Sequence, residues 1–253
     1  MRNILAIAGK EIRSYFTSPI AYVVIGFYAL LFGYFFAVML TFFERQSMQM
    51  MQMGGTMNIN QMLIGPVFTN AIVVLLFVLP MVTMRTYAEE KRSGTMELLL
   101  TAPLTDWQII LGKFVGAMAL YSVMLAITLI HIGVLFRYSE PEWKPIATGY
   151  LGMLLMGGCF VSLGLFISSL TRNQIVAAVI TFASFLLFWV INWMGSFVGS
   201  TMQAVLTHLS IIDHFDDFAK GIIDTKHVVY YLSFIAFGLF LTAKSVDSER
   251  WRG

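Results

Sequence analysis

The sequence predicts an all-α polytopic membrane protein, and three observations support this fold class. Hydrophobic residues make up 58% of the 253 residues and charged residues only 12%, with a mean hydropathy of +0.78. A soluble domain carries roughly 25% charged and 45–50% apolar residues. The apolar residues also form long uncharged runs, which cross a bilayer as helices. This composition excludes a soluble enzyme, a disordered chain and a disulfide-stapled secreted domain. The one cysteine, Cys159, is expected to be a buried hydrophobe.

Six apolar segments are long enough to cross a bilayer, which takes about 20 helical residues. The first lies in a stretch of 30 residues, 14–43, that contains no charge. The sixth has only 16 residues, so we expect it to use flanking residues or to lie nearly upright. We place the spans at about 18–43, 66–84, 110–136, 146–171, 175–194 and 228–243, within a single transmembrane domain covering residues 1–253.

Lys and Arg residues lie mostly on one side of these spans. Eleven of them flank the spans on the side that holds both termini and the 85–113 loop, and five lie on the other side. Because positively charged loops stay in the cytoplasm, we expect both termini to be cytoplasmic. The chain is then a multi-pass protein of the bacterial cytoplasmic membrane. The lipid bilayer is an expected partner, and we expect no nucleic-acid partner.

Two segments outside the spans have amphipathic helical patterns. Residues 4–16 place apolar side chains at positions 4, 8, 12 and 15 on one face. This pattern predicts an N-terminal helix lying in the membrane interface, with an extension of the first span as the alternative. In residues 205–223, apolar side chains recur every three or four positions, which predicts one external amphipathic helix between spans five and six.

The 85–113 loop is a highly charged cytoplasmic connection in this topology, with four basic and four acidic residues. A charged helical turn is interrupted by Gly94, and a short helix with an apolar face follows through Met96 until Pro103 ends it. A short mixed-charge helix between two spans is well placed to dock on a soluble partner. A solvated loop shaped only by the topology is the alternative.

This loop resembles part of a known family. The stretch from Glu90 to Pro103, EKRSGTMELLLTAP, is followed by ILGK at 110–113. Together they resemble the loop between the second and third spans of ABC type-2 transporter permeases, more narrowly those of gliding-motility and multicopper-enzyme-maturation systems. In that family the loop is a coupling helix that rests in a groove of a separate ATPase subunit. We call residues 85–103 the coupling segment. The residues that the resemblance implies for coupling are Glu89, Glu90, Arg92, Gly94, Thr95, Met96, Glu97 and Pro103.

The resemblance also implies partners and cofactors. The chain has no P-loop, since Gly9-Lys10 and Gly112-Lys113 are not followed by Ser or Thr. We therefore expect no catalytic activity and no cofactor in this chain, with ATP and Mg on a cytoplasmic ABC ATPase partner. Six spans are half of an ABC membrane core, so a second copy or a related permease subunit is a further expected partner. An extracytoplasmic accessory protein is an open alternative.

Three functions are compatible with the sequence. The first is the permease subunit of an ATP-driven exporter. The second keeps the ATPase but transmits mechanical work to extracytoplasmic machinery. The third is an intramembrane scaffold or enzyme without a nucleotide partner, which the coupling motif disfavours. The spans contain no Asp, Glu, Lys or Arg near their middle, which argues against a proton-coupled or ion-coupled carrier.

Two clusters outside the spans contain residue types that bind metals. The first external loop has six methionines between residues 48 and 62, and thioethers suit Cu(I). Flexible packing at an apolar surface is the favoured explanation for them. Asp213, His214, Asp216 and Asp217 could bind a divalent cation, or they could form the wet face of the external helix. We expect no bound metal at either cluster.

Small residues mark places where helices pack. Gly112 and Gly116 form a Gly-x-x-x-Gly pair at the start of the third span, and Gly195 and Gly199 form another after the fifth. Packing inside the chain and a seam between two copies are both open. His131, near the outer end of the third span, is expected to be a neutral histidine that bonds a neighbouring helix rather than a functional group.

Overall fold

The computed structural model describes residues 2–55, 58–195 and 199–250, and within these residues the chain is all-α, without strands. Six helices there are long and apolar enough to cross a membrane, which confirms the predicted fold class. In chain order the α-helices are α1 (Arg2–Thr17), α2 (Pro19–Gln52), α3 (Gly65–Thr83), α4 (Arg85–Ser93), α5 (Thr95–Thr101), α6 (Asp106–Tyr138), α7 (Trp143–Leu170), α8 (Gln174–Gly195), α9 (Ser200–Leu209), α10 (Asp216–Ala219) and α11 (Thr225–Arg250). A short π-helix, Asn60–Ile64, leads directly into α3.

The long helices extend beyond the apolar segments in the sequence. α2 continues to Gln52, and α11 has 26 residues where the apolar segment has only 16. Polar residues at the ends of a helix keep its backbone hydrogen bonds while their side chains reach headgroups or water. The short sixth segment is therefore the apolar centre of a longer helix.

α7 is the most buried of the six long helices. Its glycines face neighbouring helices: a Cβ atom on Gly157 would lie 2.1 Å from the Tyr121 ring, and one on Gly164 would lie 2.2 Å from Thr83 Oγ1. Real Cβ atoms do not approach other atoms so closely, so these contacts require glycine. The glycines of the fourth span therefore serve packing inside this chain.

α1 packs along the first turns of α6. A Cβ atom on Gly112 would lie 2.6 Å from Ile7, and one on Gly116 would lie 2.7 Å from Glu11. This Gly-x-x-x-Gly pair therefore brings two helices of one chain together. The buried face of α1 includes the charged Glu11, which the apolar pattern of residues 4–16 did not predict.

The coupling segment begins where α3 ends. Pro80 lies inside α3, where it removes one backbone hydrogen bond from the helix. Gly94, with a φ of 73°, ends α4 and turns the chain into α5, a conformation that disfavours any residue with a Cβ atom. Beyond Pro103, Thr105 and Gln108 form a capping box that begins α6.

The outer segment, residues 199–224, is not the single amphipathic helix that the 205–223 pattern predicts. α9 ends at Leu209, a turn follows, and the four-residue α10 begins at Asp216. The turn allows Phe215 and Phe218 to pack together against Gly152 of α7, where a Cβ atom would lie 3.1 and 2.8 Å from them. Burial of two aromatic rings outweighs the continuation of a surface helix.

The coupling segment and the outer segment contact opposite ends of α7. Ser168, near the C-terminal end of α7, hydrogen-bonds α4. Thr148, near its N-terminal end, donates to the carbonyl oxygen of Phe218 in α10. Thr148 and Ser168 are 20 residues apart, which is about 30 Å along a helix that rises 1.5 Å per residue. The two segments therefore lie at opposite ends of the bundle.

Candidate functional site

A buried lysine, Lys113, lies beneath the coupling segment. Its side chain is 1% exposed, and its Nζ atom is 2.9 Å from Glu11 Oε1 and 2.9 Å from Glu90 Oε2. The same nitrogen donates to the carbonyl oxygen of Thr86 at 2.8 Å and lies 4.9 Å from the centre of the Tyr87 ring. An ammonium group has three donors, and three oxygens surround this one. The cluster therefore compensates a buried charge and fixes α1, α4 and α6 relative to one another.

Two further side chains of α4 reach the helices on either side. Lys91 Nζ pairs with Glu249 Oε1 of α11 at 2.7 Å, and the Lys91 side chain is only 6% exposed. Arg85 donates to the hydroxyl of Ser18, the residue that caps the start of α2, at 3.2 Å. α4 is thus joined by polar contacts to both the first and the last long helix of the chain.

Ser168 of α7 holds the first turn of α4. Its Oγ atom accepts hydrogen bonds from the backbone N–H groups of Tyr87 and Ala88, both at 3.1 Å, and donates to the carbonyl oxygen of Met84 at 2.9 Å. The first three amides of a helix have no acceptor within that helix, and Tyr87 is the third residue of α4. Ser168 therefore supplies from another helix the cap that the α4 sequence lacks.

Tyr15 connects α1 with the end of α3. Its hydroxyl donates to the carbonyl oxygen of Val82 at 3.1 Å, at the edge of a polar cavity of about 230 Å³ between α1 and α4. Burial raises the pKa of Tyr15, so the hydroxyl stays protonated and remains a donor at neutral pH. This contact adds α3 to the helices that support the coupling segment.

The residues expected to carry coupling divide into two groups. The side chains of Glu90 and Met96 point into the protein interior. Glu90 joins the Lys113 cluster, and Met96, on α5, is 5% exposed. Glu89 is half-exposed and pairs with Arg85 within α4. The others lie exposed on the surface of the coupling segment: Arg92, Gly94, Thr95, Glu97 and Pro103.

An exposed apolar side chain lies among these residues. Leu98 is 72% exposed, between Glu97 and the end of α5. We call Arg92, Thr95, Glu97, Leu98 and Pro103 the exposed ridge. Interfaces combine an apolar centre with a charged rim, so the exposed ridge has the composition of a docking surface.

Reasoning from the sequence did not select Glu11, Lys113 or Ser168 as site residues. Lys113 carried the clearest signal, because it lies eight residues inside an apolar helix, where an unpaired charge is costly. Glu11 is the counterion of Lys113 and lies on α1, the helix that the sequence pattern places in the membrane interface. Ser168 gave no signal, since its role depends on which backbone amides it meets in space.

Two other candidates have different surroundings from those expected. The His131 ring lies 5.4 Å from the rings of both Phe32 and Phe36. Its Nδ1 atom is buried and has no hydrogen-bond partner in the described part of the chain, so the expected bond to a neighbouring helix is not made through this atom. Met48 and Met51 lie on the last turns of α2, and Met57 lies outside the described residues.

Comparison with known proteins identifies the family. Residues 46–213 match the family described as ABC-2 family transporter protein, and this range contains the whole coupling segment. The chain belongs to the ABC-2 transporter family. A probable multidrug ABC transporter permease, YbhR of Escherichia coli strain K12, is 34% identical over 143 residues, and the protein of that name in Escherichia coli O157:H7 matches equally. The match covers 56% of this chain and 38% of the relative, so the chain aligns with about two fifths of its relative's length.

The supporting contacts of this ABC-2 family member extend beyond the matched range. Lys113 and Ser168 lie inside residues 46–213, whereas Glu11 precedes the range and Glu249 follows it. Lys113, beneath the coupling segment, and Lys91, within it, therefore bind the two ends of the described chain to the part that defines the family.

Proposed function

We propose that this chain is the membrane-spanning permease subunit of an ATP-driven ABC exporter. It couples a separate cytoplasmic ATPase, which binds ATP and Mg, to export across the bacterial cytoplasmic membrane, with both of its own termini in the cytoplasm. A second copy or a related permease subunit completes the membrane core. Membership of the ABC-2 family and the relative's name as a permease support this proposal, and both suggest a membrane subunit without catalysis of its own.

One observation carries the coupling part of the proposal. The exposed ridge lies on the end of α4, on α5 and at Pro103 just beyond it, and α4 is bound by polar contacts to α1, α6, α7 and α11. A force applied to the exposed ridge therefore reaches several spans at once, because α4 cannot move without disturbing buried charges. A solvated connector would need none of these contacts.

The cargo that best fits the chain is apolar or amphipathic. An open groove of about 610 Å³ lies on the surface between α6 and α7, and its lining is almost entirely aliphatic and aromatic, with Leu125, Leu129, Phe136, Trp143 and Tyr150 among its residues. Such walls bind apolar surface and offer few partners to a polar solute. The relative is named as a probable multidrug permease, which agrees with an apolar cargo class.

A charge reversal on the exposed ridge tests the proposal. Glu97→Lys places a positive charge where the ATPase is expected to dock, and loss of a charge pair that is buried on docking costs about 2–5 kcal/mol. We expect the variant to insert normally but to co-purify with less ATPase, or to show ATP hydrolysis uncoupled from cargo. The measurements are co-purification with the ATPase subunit and cargo-dependent ATP turnover in proteoliposomes.

Two matched variants complete this experiment. Glu44→Lys makes the same charge change at an exposed position near the other end of α2 and should leave both measurements unchanged. Gly94→Val has open space around it but an unfavourable φ, so it should misdirect α5 and impair coupling. Wild-type assembly and turnover in both Glu97→Lys and Gly94→Val would show that the coupling segment is only a connector.

A further inference from the structure

Three metal-binding side chains meet where the outer segment joins α11. Asp217 of α10, Asp224 in the following turn and His227 of α11 place one ligand atom each within 4.8 Å of the others. His227 is 6% exposed, and its Nε2 atom lies 2.8 Å from Asp217 Oδ2. A buried imidazole thus faces two carboxylates that remain partly open to the outside.

The hydrogen bonds behind His227 determine which of its nitrogens carries hydrogen. His214 Nε2 lies 3.0 Å from the carbonyl oxygen of His208, which can only accept, so this nitrogen donates. In a neutral His214 the Nδ1 atom must then accept, and its partner is His227 Nδ1 at 2.5 Å. His227 therefore donates through Nδ1, and a neutral His227 has a lone pair at Nε2.

That lone pair faces the Asp217 carboxylate, which also offers only lone pairs. At 2.8 Å the contact is a hydrogen bond when Nε2 carries a hydrogen, and the same two atoms can share a metal ion when it does not. The second carboxylate, Asp224, supplies the further negative charge that a divalent ion requires.

The donor set matches the ligands of zinc. Zn²⁺ takes histidine nitrogen and carboxylate oxygen at about 2.0–2.2 Å, and a tetrahedral ion holds such donors about 3.3 Å apart. His227 and Asp217 need to separate only slightly from 2.8 Å to reach that spacing. Asp224 is oriented by the backbone N–H of Lys226 at 2.9 Å, which leaves its other oxygen for a metal.

Lys226 is the group that a metal must displace. Its Nζ atom lies 3.0 Å from Asp224 Oδ2, but its side chain is 64% exposed and can turn into water at little cost. A cavity of about 510 Å³ lined by polar residues, including His214 and His227, opens beside the cluster. This space gives an ion access and accommodates a water as the fourth ligand.

We propose that Asp217, Asp224 and His227 bind a zinc-type divalent cation at the end of the bundle opposite the coupling segment. The ion ties α10, which packs on α7, to the first turn of α11. It therefore holds the outer segment against two spans. This site does not depend on the proposed ATPase partner, so it can be tested on the chain alone.

The test uses the purified full chain in detergent, with a purification tag that contains no histidine and zinc chloride as the only added metal. We expect about one zinc per chain after gel filtration, measured by mass spectrometry, and a higher melting temperature with zinc than with chelator. Asp217→Asn and Asp224→Asn should weaken zinc binding by about tenfold or more, measured by competition with a chromophoric zinc indicator.

Asp216→Asn is the matched control, because Asp216 is the exposed neighbour of Asp217 and lies outside the three-residue group. It should bind zinc as the wild type does. Asp224 is only lightly packed, so its variant reports on the site even if changes at the buried His227 prevent folding. No zinc retained by the wild type, or wild-type affinity in Asp217→Asn and Asp224→Asn, would overturn the proposal.

Discussion

The two ends of the bundle are held by different chemistry. At the coupling segment, full charges meet inside the protein, where Lys113 pairs with Glu11 and Glu90. At the outer segment, away from the Asp217, Asp224 and His227 cluster, hydroxyl groups donate to backbone carbonyls: Tyr231 bonds the carbonyl oxygen of Ile211 at 2.9 Å. A buried charge is costly when one partner is removed, whereas a neutral hydrogen bond contributes only about 1 kcal/mol. The end at the coupling segment should therefore move as one rigid body, and the end at the outer segment, when no metal is bound there, should change shape at lower cost.

The largest effect is expected from Lys113→Met. This change leaves the Glu11 carboxylate buried without a cation and leaves Glu90 with only the exposed Lys10, and should cost about 3–5 kcal/mol of unfolding free energy. Thermal unfolding of the purified chain in detergent measures the loss. Adding Glu11→Gln should restore part of the lost stability, because the unpaired Glu11 charge is then removed.

Lys10→Met is the control for this comparison. Lys10 also pairs with Glu90, at 3.2 Å, but its side chain is 63% exposed, so we expect a loss of only about 0–1 kcal/mol. Equal losses of unfolding free energy from Lys10→Met and Lys113→Met would contradict the idea that buried charges make the end at the coupling segment rigid.

A smaller effect is expected from Ser168→Ala. The variant removes the Ser168 acceptor from the N–H groups of Tyr87 and Ala88, and Tyr87, the third residue of α4, has no acceptor within that helix, so we expect a cost of about 1–3 kcal/mol. Hydrogen exchange at these two amides should rise together with the loss of stability. Ser169→Ala is the matched control, since Ser169 is equally buried but donates only to Phe166 in its own helix. Similar exchange in both variants would show that Ser168 does not hold α4.

The smallest effect is expected at the outer end, from Tyr231→Phe. Tyr231 is fully buried, and the variant keeps its ring packing while it removes the hydrogen bond to Ile211. We expect a loss of about 0.5–1.5 kcal/mol in the same thermal measurement. A loss as large as that of Lys113→Met would remove the contrast between the two ends.

The sequence determined the fold class and the boundaries inside the coupling segment. Charge depletion and six long apolar runs required a helical membrane protein, since helices satisfy backbone hydrogen bonds within lipid. The break at Gly94 was also predictable, because glycine between two short helical patterns marks a positive φ, and the structure has 73° there. The interface location of α1 and the coupling role of the exposed ridge remain predictions.

Only the tertiary structure decided which charges and glycines work together. Glu11 and Lys113 are 102 positions apart, and no periodicity in either segment shows that α1 lies against α6. The outer segment differs from its predicted single helix for the same reason, because the rings of Phe215 and Phe218 pack against α7 at Gly152. Periodicity reports the environment of one helix at a time. Contacts between distant segments depend instead on complementary shape and charge, which exist only once the helices have packed.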